Sequence, residues 1–242
     1  MIRRIRSAIF AAFLILLIAV MGIVCLPIIL FGRTAARGVV KLWAQITLVA
    51  LKAIAGVSYR VEGAENMPQS GALIASNHQS MWETVAFYAL VPKPVMILKK
   101  ELLNVPVYGW WARAAGNIAI DRNGGARALR AMMRAAKDRI DAGEQIVIFP
   151  EGTRSAPGAR APLQPGVAGI YTATGAPCVP AAHDSGRFWR HPAMEKIPGT
   201  VTLRLLPPIK PGLDRKTFLR TLAAQIEHAR PDLEPAGARK AQ

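Results

Sequence analysis

The chain has 242 residues, of which 52% are hydrophobic and 19% charged. Ordinary soluble domains carry about 25% charged residues, so this composition excludes an intrinsically disordered chain and suffices for one sizeable core. Lysine and arginine outnumber aspartate and glutamate 31 to 15, a net charge of +16, so the partner or substrate is expected to be anionic: nucleic acid, phospholipid headgroups or a phosphorylated metabolite.

Residues 8–31 are 24 consecutive positions without a charge, preceded by Arg3, Arg4 and Arg6. As one helix the run is about 36 Å long, enough for a bilayer core of about 30 Å. A secretory signal has a shorter apolar region, roughly 7–15 residues, and a small-residue cleavage site that is not evident here. A helix buried in a soluble core is the competing reading, and so long an uncharged stretch is costly there. Pro27 predicts a kink near the end of the run. Arg33, Arg37 and Lys41 follow, so both flanks are basic and the positive-inside rule gives no orientation. Residues 39–57 are also apolar, but Lys41, Gln45 and Lys52 fall near one helical face. That pattern fits an interfacial helix or the return limb of a hairpin. Residues 1–56 are therefore read as a two-helix membrane module, with the rest of the chain on the cytoplasmic face of the inner membrane. Cys25 and Cys178 offer neither a metal-ligand spacing nor a disulfide framework.

Beyond residue 57 the pattern changes to short β-branched runs alternating with helical stretches. Strands are predicted at 58–61, 72–75, 95–98, 118–120, 145–149, 178–181 and 201–206. The alternation predicts an α/β fold, a mixed central sheet flanked by helices, over residues 57–230. Leu129, Met132, Met133, Ala136 and Ile140 recur at helical spacing, with Asn123 as the expected cap and Arg127, Arg130, Arg134 and Lys137 on the opposite, solvated face. These methionines read as core. A last helix is predicted from Asp214, its cap, to Arg230, and residues 231–242 read as a flexible tail.

Three constellations sit at predicted strand ends, where α/β folds place their sites. The first is N-H-Q-S-M-W-E, residues 77–83. His78 and Glu83 would not share a face of one continuous helix. They meet if His78 lies in the turn before a helix and Glu83 in its first turns. A carboxylate on one imidazole nitrogen leaves the other as a base, and the positive end of the helix disfavours imidazolium. The pattern alone equally fits a structural histidine at a helix start. The second is F-P-E-G-T-R-S, residues 149–155, in which Pro150 and Gly152 make a tight turn and Arg154 offers a planar fork suited to phosphate. Its bland reading is a β-turn with a Glu151–Arg154 surface ion pair. The third is G-N-I-A-I-D-R, residues 116–122, which delivers Arg122 to the same edge. Lys99 and Lys100 end another strand, so four cations gather near the histidine motif, and one phosphate needs two or three. Nucleophile-elbow, P-loop, dinucleotide-binding and metalloprotease motifs are missing, and His78, His183, His191 and His228 have no metal-ligand spacing. Ser80, Ser155 and Ser185 remain as possible nucleophiles outside any recognisable elbow.

These blocks, in this order, resemble the glycerolipid acyltransferase family of bacterial 1-acyl-sn-glycerol-3-phosphate acyltransferases, over roughly residues 57–211. The family's N-H-x-S-x-x-D is matched by Asn77, His78, Ser80 and, with glutamate for aspartate, Glu83. Its K-x-E-L stretch is matched at 99–102, its F-P-E-G-T-R-S at every position of 149–155, and its valine-proline strand at Val179-Pro180. The resemblance implies that His78, oriented by Glu83, takes the proton from the sn-2 hydroxyl of a lysophosphatidate. That oxygen then attacks the thioester of acyl-CoA or acyl-carrier protein, giving phosphatidic acid without an acyl-enzyme, a cofactor or a metal. It implies that Lys99, Arg122, Gly152, Thr153 and Arg154 hold the phosphate while Glu151 orders its turn. Membrane phospholipids, lysophosphatidic acid and the acyl donor are the expected partners, and nucleic acid is not. Competing readings keep the chemistry on another acceptor (another lysophospholipid, a lyso-aminolipid or glycerol-3-phosphate), or take the chain as a non-catalytic anion binder or a serine hydrolase.

Overall fold

The computed structural model describes residues 1–192, 195–230 and 232. Among these residues seven strands form one sheet: β1 (Val57–Glu62), β2 (Ala72–Ser76), β3 (Pro94–Lys99), β4 (Ile118–Ile120), β5 (Gln145–Ile148), β6 (Cys178–His183) and β7 (Gly199–Leu205). Every predicted strand is present, with ends displaced by at most two residues. Their spatial order is β1-β7-β6-β2-β5-β3-β4. All neighbours are parallel except β6 and β7, so β1 and β7 run against the other five. The central strands β2, β5 and β6 are buried along their whole length, and uninterrupted apolar runs are what a sheet covered on both faces requires. The β1 edge carries Arg60 and Glu62, and the Glu62 carboxylate accepts from Arg204 of β7 at 2.6 Å. Charge on an edge strand discourages further pairing.

Helices cover both faces. On one face α1 (Ile2–Val24), α2 (Arg33–Ala50) and α3 (Trp82–Leu90) bury Phe10, Leu14, Ala44, Leu48, Trp82 and Phe87 against Ile74, Val147 and Val179. On the other, α5 (Gly125–Asp141), α6 (Gly166–Thr174) and α7 (Arg215–Ala229) bury Met132, Ala136, Ile170, Phe218 and Leu222 against Leu73, Ile146 and Cys178. Met132 and Met133 are thus core residues, as the helical spacing predicts, and Arg127, Arg130, Arg134 and Lys137 are exposed. Asp214 caps α7, accepting from the Lys216 and Thr217 amides at 2.9 and 3.0 Å. Asn123 does not cap α5. Its amide donates to Asp121 Oδ1 at 3.0 Å, which folds the chain into a turn, and the cap falls on Gly124 without a side-chain bond. Both cysteines are free.

The uncharged run at 8–31 is not one helix. The α-helix ends at Val24, and residues Leu26–Phe31 form a tighter 3₁₀ segment that begins beside Pro27. Helix α2 is the return limb, running through a short π-helical stretch (Leu51–Ala55) into β1. Both α1 and Arg33–Ala55 are long and apolar enough to cross a membrane, and 22% and 33% of their apolar windows are buried. They nonetheless share a core cluster with the sheet. Near its start α1 is held by Arg3 on Glu195 (2.9 Å), by the Ser7 hydroxyl, which accepts from the Lys196 amide (2.9 Å), and by an edge-on contact of Phe10 with Trp189. Near its end Gly22 lies so close to the loop before α4 (Tyr108–Ala114) that a Cβ would stand 2.1 Å from Val107 Cγ1. Trp111 Nε1 donates to the Gly22 carbonyl at 3.0 Å. Residues 189–196 follow β6, and residues 107–111 follow β3. Both ends of α1 therefore contact chain emerging from the carboxyl edge of the parallel strands.

Candidate active site

The carboxyl edges of β2, β5, β3, β4 and β6 face the same way, so the loops that follow them share one rim. His78 lies in the loop after β2, and Glu83 is the second residue of α3. This is the turn-then-helix arrangement their spacing requires. His78 Nδ1–H donates to Glu83 Oε1 at 2.8 Å, which fixes the tautomer and leaves Nε2 as the basic nitrogen. The imidazole stacks on Phe149, with centroids 4.2 Å apart and planes 14° from parallel.

Glu83 is fully buried. Its Oε1 also accepts from the Gln79 and Ser80 amides, both at 2.7 Å, and its Oε2 accepts from the hydroxyls of Ser80 (2.9 Å) and Ser185 (2.6 Å). Burial works to raise its pKa, but the His183 and His78 rings and the Ser185 hydroxyl outweigh it and hold the carboxyl well below the usual carboxylate range. Glu83, which stands where the N-H-x-S-x-x-D pattern has aspartate, thus has three donors on Oε1 and two on Oε2.

The 149–155 block grips the histidine from behind. Gly152 turns at φ +72°, a conformation that favours glycine, and its amide donates to the Phe149 carbonyl at 3.0 Å. Glu151 Oε1 accepts from the His78 amide at 3.2 Å, its Oε2 accepts from the Ser155 hydroxyl, and the Ser155 amide donates to the His78 carbonyl at 2.8 Å. Arg154 Nε donates to the Ser80 carbonyl at 3.2 Å. In place of the alternative reading, a surface pair of Glu151 with Arg154, each bonds to the histidine loop. The loop after β6 closes the third side. Asn77 Nδ2 donates to the His183 carbonyl (2.9 Å), the His183 amide donates to Asn77 Oδ1 (3.0 Å), and His183 Nε2 donates to the Asn77 carbonyl (2.8 Å).

The structure brings His78, Glu83, Glu151, Gly152 and Arg154 together. Thr153 is exposed on the same turn. Lys99 and Arg122 stand at the ends of β3 and β4, one and two strands beyond β5, both exposed, while Lys100 is turned to Asp121 at 3.7 Å. A cavity of about 520 Å³ opens at Gln79, the residue after His78, lined also by Arg154, Ser155, Gly186, Arg187, Arg190 and His191; the His78 ring is not part of its wall. Lys99 and Arg122 are not part of its wall. Slight burial, with the positive Arg154 and the His78 ring, lowers the His191 pKa.

Sequence reasoning missed Phe149 as a platform, Ser185 as a Glu83 donor, and Arg187, Arg190 and His191 as cavity walls. Phe149 lay within a motif already singled out. The others depend on β6 lying beside β2, which no local pattern encodes. Ser80 and Ser185 are fully buried and spend their hydroxyls on Glu83, and Ser155 spends its own on Glu151. None of the three is bonded to the histidine ring as a nucleophile would be. Among the described residues no group of three or more His, Cys, Asp or Glu side chains could hold a metal. Of the tail predicted at 231–242, Asp232 alone falls within the described residues, and it accepts from Gln79 Nε2 at 2.9 Å and from Arg230 at 2.7 Å.

An imidazole held by a buried carboxylate at a parallel sheet edge, with a guanidinium beside it, is an arrangement suited to acid–base chemistry on an anionic substrate. The acyltransferase family model matches residues 58–184. The chain is 34% identical over 181 residues to the 1-acyl-sn-glycerol-3-phosphate acyltransferase of Pseudomonas aeruginosa, covering 75% of this chain and 70% of that protein. It is 30% identical over 172 residues to the protein of the same name from Cocos nucifera, covering 70% of this chain and 56% of that one. The crystal structure of the 1-acyl-sn-glycerophosphate acyltransferase of Thermotoga maritima superposes with a TM-score of 0.73 at 23% identity, covering 95% of this chain and 99% of that one. This chain belongs to the acyltransferase family.

Proposed function

We propose that the protein transfers a fatty acyl group from a thioester, acyl-CoA or acyl-carrier protein, to the sn-2 hydroxyl of 1-acyl-glycerol-3-phosphate, giving phosphatidic acid for phospholipid biosynthesis. The observation that carries this reading is the 2.8 Å bond from His78 Nδ1 to a fully buried Glu83, on the same rim as Arg154. His78 Nε2 takes the hydroxyl proton as the acceptor oxygen attacks the thioester carbonyl. The tetrahedral adduct collapses and expels the thiolate. The imidazolium returns its proton to that thiolate, releasing a free thiol. Glu83 stabilises the imidazolium and stays ionised throughout. General base assistance of this kind is worth about 10²–10⁴-fold. The thioester is already activated, so the step needs no cofactor. Arg154, Gly152 and Thr153, with Lys99 and Arg122 further along the rim, hold the acceptor phosphate and so place its hydroxyl.

The apolar helices suit a lipid acceptor. One stripe of α1 (Phe10, Leu14, Gly22) faces the core, while Ile5, Ile9, Ile15, Leu16, Val20, Ile23 and Val24 are exposed beside the catalytic rim. We place that exposed surface in the cytoplasmic leaflet of the inner membrane, with the catalytic domain on the cytoplasmic face. The acceptor then enters sideways, and basic groups near the surface add attraction to anionic lipid of about 1 kcal/mol each. Fusing a reporter after residue 63 tests the topology, and activity of that reporter outside the cytoplasm would contradict it.

The test of the reaction is labelled acyl transfer to a panel of lysophosphatidate, other lysophospholipids, a lyso-aminolipid and glycerol-3-phosphate, run on wild type and on His78→Ala. Lysophosphatidate is expected to be the preferred acceptor, and the variant should lose at least about 10²-fold in kcat with its fold intact. Substantial turnover without the imidazole would refute the base assignment.

A further inference from the structure

The cavity at the His78 loop is larger than a phosphate, and its outer wall is built by residues that the motifs do not contain. Arg187, Arg190 and His191 come from the loop after β6, on the opposite side of the β2 loop from Lys99 and Arg122. We infer that this outer wall, Arg187 with Arg190, is an anion subsite for the phosphate-bearing arm of the acyl donor, the phosphopantetheine shared by coenzyme A and acyl-carrier protein. The inference rests on the acyl-transfer reading of the same site.

Bond counting within the two substrates separates the subsites. In the acceptor, the reacting hydroxyl is a few bonds from its phosphate, so that phosphate must sit against the histidine loop. Arg154 is placed there, bonded to the Ser80 carbonyl while the adjoining Ser155 amide holds the His78 carbonyl. In the donor, the whole pantetheine chain separates the thioester carbonyl from the nearest phosphate. Its cations must therefore lie well away from the imidazole and be joined to it by a continuous cleft. Arg187 and Arg190 answer this requirement. They are exposed on the loop after β6 and line the same cavity as Gln79, the residue after His78, and Ser155, whose amide holds the His78 carbonyl. Glu195 is the acid recorded on Arg190, at 3.6 Å, and it is shared with Arg3 at 2.9 Å, so the neighbourhood keeps a positive balance. Lys99 and Arg122, on the other side of the β2 loop, lie outside this cleft. Arg154 is the wall that both substrates share.

The experiment uses the full chain in detergent, with wild type, the double variant Arg187→Ala/Arg190→Ala and the conservative Arg187→Lys/Arg190→Lys. Three small thioesters of one acyl chain, on coenzyme A, phosphopantetheine and pantetheine, are compared with the same acyl group on carrier protein. The alanine pair should raise KM for the coenzyme A and phosphopantetheine thioesters by about 10–100-fold, the loss expected for charged hydrogen bonds. KM for the pantetheine thioester, which has no phosphate, and KM for lysophosphatidate should stay within about two-fold, and the lysine pair should recover part of the loss. An equal shift for all donors, a shift in the acceptor KM instead, or no shift would each overturn the subsite. So would transfer of the donor effect to Lys99→Ala/Arg122→Ala. A penalty for the carrier-protein thioester matching that for phosphopantetheine locates the contact on the shared phosphate. A penalty confined to coenzyme A locates it on the nucleotide phosphates and overturns the phosphopantetheine assignment. Titration of free coenzyme A onto wild type and the alanine pair reads the subsite without turnover. If wild type binds coenzyme A through these arginines but acylates no lysophosphatidate, the acceptor reading fails while the subsite stands.

Discussion

The two sides of His78 are built differently. Behind the ring, Glu83 is fully buried and accepts from five donors, while the His78 backbone is tied through both its amide and its carbonyl to residues 151 and 155. Along the open rim, Arg187, Arg190, Lys99, Arg122 and Thr153 are exposed, and Arg154 makes one bond to a backbone carbonyl. On the proposed mechanism, the group that moves a proton must keep one tautomer and one orientation through every turnover, so its surroundings are fixed before any substrate arrives. The groups proposed to grip phosphate must exchange water for ligand, so their side chains are held by few bonds. Mutations behind the ring should therefore lower kcat, and mutations in front should raise KM.

The sharpest break in this division is Glu83→Gln. An amide has one acceptor oxygen and presents N–H groups to donors already there, and it cannot stabilise imidazolium. We expect kcat to fall about 10²–10⁴-fold with little change in KM for either substrate, measured alongside thermal unfolding. A rise in KM with kcat intact would erase the division. Stability should also respond to acid. The folded Glu83 pKa lies below its unfolded value, so the carboxylate's contribution is fully present above the unfolded value of about 4.3. It is lost as pH falls toward and through the folded value. Unfolding midpoints followed downward from pH 7 should fall more steeply in wild type than in Glu83→Gln.

Arg154→Ala tests the other side. Removing a charged partner from a phosphate costs about 1.5–3 kcal/mol, a rise of roughly 10–100-fold in KM for the phosphorylated acceptor. The Ser80 carbonyl loses a donor at the same time, so a small drop in kcat should accompany it. An unchanged acceptor KM would remove Arg154 from the phosphate site.

What was legible in the sequence divides along similar lines. The strands were readable because central strands covered on both faces must be continuous apolar runs. The His78–Glu83 pair was readable because five residues of chain decide it, given a turn and then a helix. The Ser185 bond to Glu83 spans 102 positions and exists because β6 pairs with β2. Strand order is a tertiary choice that periodicity does not carry, and the arginines of the outer cavity wall were hidden for the same reason. One local reading failed through competition: Asp121 captures the Asn123 amide and moves the start of α5 to the next residue. The break of the uncharged run after Val24 was legible, because Pro27 cannot continue an α-helix.

Ser185→Ala sharpens the comparison at lower amplitude. It deletes the 2.6 Å bond to Glu83 Oε2 but leaves four donors, so the carboxylate stays ionised and placed. One hydrogen bond is worth about 1 kcal/mol, which predicts a kcat reduction of roughly five-fold and unchanged KM values. Loss as deep as that of Glu83→Gln would mean that Ser185 acts directly on substrate.

The smallest effect tests whether the division belongs to the site or to any hydrogen-bonded carboxylate in the fold. Asp214 caps α7 on the far face of the sheet, holding the Lys216 and Thr217 amides. The Thr217 hydroxyl and amide, with the Lys216 amide, keep its pKa below the usual value. Asp214→Ala should lower the melting temperature by about 2–4 °C at neutral pH, and the difference from wild type should shrink as acid protonates the cap. The kinetic constants should not move, because α7 packs on β6 and α6, on the face of the sheet away from α3. A change in kcat from this remote cap would mean that the rigidity behind His78 is a property of the whole domain, and the contrast between its two sides would lose its local explanation.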